Sequence, residues 1–154
     1  MKKAVFAVIL LMGCCVVFSG CIKNTPYTTT IDPSMTAAIG TYNFTAASVT
    51  PSTLDTQAHD TAIALYITGK TSDVTTPYDK IVLCITDYKG LTGIYSIVQG
   101  HATATYYHSG LVSSALGGIV SVTRITSNSI IGYFSFSTQD GINVTNGTFN
   151  VGMP

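Results

Sequence analysis

Apolar residues run together at the start of this chain and alternate with polar ones further along. Positions 4–18 are almost wholly apolar, with Lys2 and Lys3 before them and Ser19-Gly20-Cys21 after. From position 40 onward, apolar and polar residues alternate with a period of two, as half-buried strands require. The alternation predicts strands over 40–46, 62–68, 80–86, 93–98, 102–108, 119–126, 130–138 and 142–151. Ile63, Leu65 and Ile67 fall on one face, as do Val120 with Val122 and Gly132 with Phe134 and Phe136. Residues 80–86 are apolar on both faces, which places that strand centrally. Between the strands, 47–60 reads as a loop around Pro51, 70–79 as a turn region around Pro77, and 109–117 as a loop. Asp140-Gly141 is a strong hairpin signal.

The last strand changes phase. Ile142 and Val144 occupy even positions, whereas Phe149 and Val151 occupy odd ones. Both sets reach one face only if an extra residue intervenes, so a β-bulge is expected at Asn146-Gly147. The whole pattern predicts an all-β fold: an antiparallel β-sandwich or flattened barrel of about eight strands, preceded by a helical signal segment.

The N-terminal run is shorter than the roughly 20 apolar residues that span a bilayer. With its leading lysines and small residues at the end, it reads as a secretion signal. Phe18-Ser19-Gly20-Cys21 has the layout of a lipobox, where a peptidase cuts before a cysteine that then carries lipid. Residues 1–20 are thus the signal peptide, 21–34 a tether rich in Thr with two prolines, and 35–154 a single β domain. Leu11-Met12-Gly13-Cys14 is a second such layout, but the apolar run before it is too short. Two or more acyl chains on Cys21 give stable anchoring where one is marginal.

Composition narrows the partners. Charged residues make up 9% of the chain, and Glu and Trp are absent. Abundant Thr in place of charge suits pleated sheet faces. From Cys21 onward five Lys or Arg stand against seven Asp. No basic stripe marks a nucleic-acid partner. Cys14 and Cys15 leave with the signal, so Cys84, inside an apolar strand, reads as a buried packing thiol.

Residues 131–137, Ile-Gly-Tyr-Phe-Ser-Phe-Ser, followed by 144–151, Val-Thr-Asn-Gly-Thr-Phe-Asn-Val, carry a resemblance. Together with the lipobox signal, they resemble small uncharacterised β-rich lipoproteins of Bacteroidota. In those, a strand ending Gly-Thr-Phe-Ser-Phe precedes a turn and Val-Thr-Asn-Gly-x-Phe-x-Val; Tyr133 replaces the usual Thr here. The resemblance implies a β-rich domain and an outer-membrane address, and it brings no activity. Asp60-Thr61-Ala62 is similar to the O-glycosylation acceptor of that phylum, with Thr61 as the modified residue.

Candidate chemistry is sparse. Six of the seven Asp sit in predicted turns, where their side chains satisfy nearby backbone groups. His101 and His108 are an odd number of residues apart, so on one regular strand they face opposite ways and share no metal. No nucleophile elbow, dinucleotide fingerprint or phosphate loop is present. Tyr106 and His108 share a face, with Tyr107 on the other, and they are the residues offered as ligand contacts. The expectation is a non-enzymatic lipoprotein of the bacterial outer membrane, held by lipid on Cys21. Its β domain binds or scaffolds an envelope partner, with no cofactor and no metal. The alternative is a ligand-binding barrel for a glycan fragment or small apolar molecule. The sequence leaves the periplasmic and cell-surface faces both open.

Overall fold

The computed structural model describes residues 31–55, 63–72 and 78–154. The signal segment 1–20, Cys21, most of the tether, and His59, Asp60 and Thr61 lie outside the described residues. Among the described residues the fold is all β, with ten strands. They are β1 (Ser34–Ile39), β2 (Tyr42–Thr45), β3 (Ser48–Asp55), β4 (Ile63–Lys70), β5 (Lys80–Tyr88), β6 (Gly93–Ser96), β7 (Ala102–His108), β8 (Leu111–Ile125), β9 (Ser129–Thr138) and β10 (Asn143–Gly152). All pairings are antiparallel. The order is β2-β1-β10-β9-β8-β7-β5-β4-β3, with β6 pairing to β8 off that path.

The sheet curls until its two halves share one core. The chain passes between the halves at two places. At the first, Ala46 N–H donates to Met35 O on β1, and Ala47 N–H donates to Lys70 O beyond it. The second is inside β8. Its first residues pair with β7 and its later ones with β9, with a register shift between Ala115 and Gly117. Met35 on β1 lies over Gly69 on β4, where an added Cβ would stand 2.5 Å from the Met35 sulfur. Phe44, Phe134, Phe149, Leu65, Ile81, Leu83 and Ile85 fill the interior.

The count of strands exceeds the expected eight for physical reasons. The first expected strand, 40–46, is the second half of a hairpin. Gly40 takes φ 58 in a two-residue turn between paired Ile39 and Tyr42, the glycine-first geometry of a type II′ turn. Pro51 does not break β3 into a loop, because β3 is the last strand of the sheet and proline is tolerated at an edge. The expected loop at 109–117 is mostly β8, hidden by an inverted pattern: Ser113 is buried while Leu111, Val112 and Leu116 are exposed. Ser113 is satisfied by donating to Asp140 Oδ2 at 2.7 Å, and Gln139 N–H donates to Ser114 O at 3.2 Å. These bonds pin the β9–β10 turn, in which Gly141 takes φ 78, against β8.

The bulge in β10 is present. Val144 pairs with Phe136 and Gly147 with Phe134, so β10 carries one extra residue. On its other side β1 meets the same excess, with Thr36 opposite Thr148 and Ala38 opposite Thr145. The left-handed residue is Asn146, φ 50, and not Gly147. Asn tolerates that conformation better than most side chains. Gly147 is needed for space: its cross-strand partner Phe134 lays its ring where a Cβ would be, at 2.5 Å. The same arrangement recurs at Gly132, whose Cβ would fall on the ring of its partner Phe149 and on Ser121 O.

Overpacking at such sites costs about 1–3 kcal/mol. Gly147→Ala and Gly132→Ala are each expected to lower the thermal midpoint by several degrees. Gly152→Ala, where a Cβ meets only Asn128 O at 4.0 Å, is expected to stay within about 0.5 kcal/mol of the parent. Circular dichroism melts of the three variants check this.

Candidate functional site

The curled sheet has two open ends, and each holds a cleft. The more polar one lies between the Gly40–Thr41 turn, the Gly141–Asn143 segment and the end of β7, with a volume of about 460 Å³. Tyr42, Tyr106 and His108 line it. Alternation along β7 sends Tyr106 and His108 to this side, where their rings stack with centroids 5.9 Å apart. Tyr107 goes to the other face, beneath Lys80 Nζ at 3.8 Å.

Asp79 completes the group. It precedes β5, and antiparallel pairing of Lys80 with Tyr107 brings it opposite His108. Thr71 holds its backbone in place: Asp79 N–H donates to Thr71 Oγ1 at 3.0 Å, and Thr71 N–H donates to Asp79 O at 2.9 Å. The Asp79 side chain is only 14% exposed. Its Oδ1 lies 2.8 Å from His108 Nδ1, and its Oδ2 accepts from the Tyr106 hydroxyl at 3.2 Å. The Tyr106 hydroxyl also sits 3.2 Å from His108 Nδ1. With Nδ1 turned to the carboxylate, His108 Nε2 is the nitrogen left for a ligand. Burial, and then the Asp79 charge, push the Tyr106 phenol well above its ordinary range. Tyr106 is therefore a neutral donor.

The second cleft, about 650 Å³, is more apolar, with Ile63, Ile130, Tyr88 and Met153 among its walls. The Tyr88 hydroxyl is buried with no hydrogen-bond partner among the described residues, and burial raises its pKa. Cys84 is buried on β5, and burial likewise pushes its thiol up.

Tyr106 and His108 thus meet on one face of one cleft. His101 lies just before β7 and takes no part in it. Asp79 was legible only as a turn residue; the one sequence signal for its role is the match of Asp79-Lys80 to Tyr107-His108 at the ends of two strands. No group of three His, Cys, Asp or Glu suited to a metal occurs among the described residues. No family model, curated protein or solved structure matches the chain.

Asp79→Ala takes away the carboxylate on which the buried Tyr106 hydroxyl donates, at an expected cost of about 1–3 kcal/mol. The same change in a Tyr106→Phe background costs less, which denaturant melts of both singles and the double resolve. A second expectation concerns alkali. A phenol whose folded pKa is raised keeps its proton longer in the folded chain than in the unfolded one. The contribution of these tyrosines to stability is therefore intact below pH 10, their ordinary value, and falls as pH rises beyond it. Tyr106→Phe makes that fall shallower, as melts from pH 8 to 11 would record.

Proposed function

We propose that this chain is a lipid-anchored protein of the bacterial outer membrane, of the Bacteroidota lipoprotein kind, whose β domain is a non-enzymatic binding or scaffolding module. The anchor reading rests on the layout of residues 1–21, with acyl chains on Cys21. The observation that carries the binding reading is the Asp79–His108–Tyr106 cluster on the polar cleft. Inside the cluster the Tyr106 hydroxyl donates a hydrogen bond to Asp79, and Asp79 holds the His108 ring through Nδ1. Those contacts hold the side chains in place, as a recognition surface requires. A filled interior speaks against a ligand enclosed in a barrel, because Phe44, Phe134, Phe149 and Met35 occupy it. The open cleft keeps the glycan form of that alternative in view. The envelope partner and the glycan are both reached from the same anchored position.

The test is partition of native full-length protein in a cloud-point detergent, with mass spectrometry of its N-terminus. The expected result is a detergent-phase protein beginning at acylated Cys21, and an aqueous-phase Cys21→Ser variant. A native protein that still begins at Met1 overturns the anchor.

A further inference from the structure

We infer that the polar cleft binds a neutral carbohydrate, with a sugar ring stacked on Tyr42 and its hydroxyls held by His108 Nε2 and the Asn143 amide. The inference rests on the reading of this cleft as the domain's binding face and names what it takes.

Three observations exclude other ligand classes. Among the described residues no lysine or arginine lines the cleft, and its carboxylate is already paired with His108. An anionic ligand such as a phosphate therefore finds no cation free to meet it. The cleft is an opening between turns rather than an enclosed apolar cavity, so a purely apolar ligand gains little burial there. What remains is a ligand with an apolar face and a rim of hydroxyls.

The residues supply both halves of that recognition. Tyr42 is 47% exposed, and the Gly40–Thr41 turn holds it at the tip of an edge hairpin. A phenol ring of that kind presents an apolar face and a polar tip. On the opposite side of the cleft stands His108, its side chain 56% exposed and its ring fixed by Asp79 through Nδ1. Asn143 offers an acceptor and two donors. A volume of about 460 Å³ is within the roughly 300–1,000 Å³ of small-molecule sites, enough for one or two sugar rings. Ordering costs are small, because the β9–β10 turn and Asp79 are already held by hydrogen bonds to Ser113 and Thr71.

The test uses full-length protein purified in a zwitterionic detergent without a sugar headgroup. It is applied to an array of neutral gluco-, galacto-, manno-, xylo- and N-acetylhexosamine oligosaccharides, with uronic-acid oligosaccharides and decanoate beside them. The expected result is binding to at least one neutral oligosaccharide. Tyr42→Ala is expected to weaken it about tenfold, the worth of one aromatic stacking contact, with the native circular dichroism spectrum retained. His108→Ala weakens it independently. Binding that ignores both substitutions, binding only to uronic acids or decanoate, or no binding to the neutral set overturns the proposal. Partition of the same preparation into detergent shows separately whether the anchor reading stands.

Discussion

Phenylalanine rings lying over glycines fix the register of the central strands. Phe134 covers Gly147 and Phe149 covers Gly132, each across a strand pair. Gly118 on β8, at φ 134, likewise stands opposite Phe136, with no room for a Cβ beside it. Each buried ring is worth about 1.5–3 kcal/mol. A slip of one residue would set a ring against a side chain and turn the apolar face outward. The bulge at Asn146 is what lets this arrangement extend along β10, since it returns Phe149 and Val151 to the face already taken by Val144. The register then determines where the β9–β10 turn emerges, and that turn forms a wall of the polar cleft.

The two crossings of the chain between sheet halves explain where the clefts lie. Ala46–Ala47 and the bend within β8 close the curled sheet where they occur, and the remaining ends stay open. Open ends are where polar groups keep access to water, so an aspartate, a histidine and a tyrosine hydroxyl can gather without desolvating a lone charge. Each of the three nonetheless has a partner within the group. Thr71 fixes the carboxylate from behind, and stacking on Tyr106 limits rotation of the His108 ring.

The legible parts of the fold are those whose side-chain contrast is strong. Phe134, Phe136, Phe149 and Val151 announce their faces, and the phase change between Val144 and Phe149 locates the bulge. The missed parts have weak or reversed contrast. Ala37 and Ala38 hide the alternation of β1, Pro51 disguises an edge strand, and buried Ser113 beside exposed Leu111 inverts the start of β8. The role of Gly147 was legible in place but not in cause, since it depends on a ring from another strand. Tyr106 and His108 could be put on one side from alternation alone. Asp79 could not be joined to them, because β5 and β7 are neighbours only after β6 has been set aside on β8, an arrangement with no local trace.

The margins of the sheet bear on how copies of this molecule behave when crowded. One margin, β2, is four residues long. The other, β3, contains a proline with no amide hydrogen to lend a newcomer. Short or donor-poor borders make bad templates for strand addition. Copies of the domain brought close together therefore meet poor templates for strand addition at these two borders.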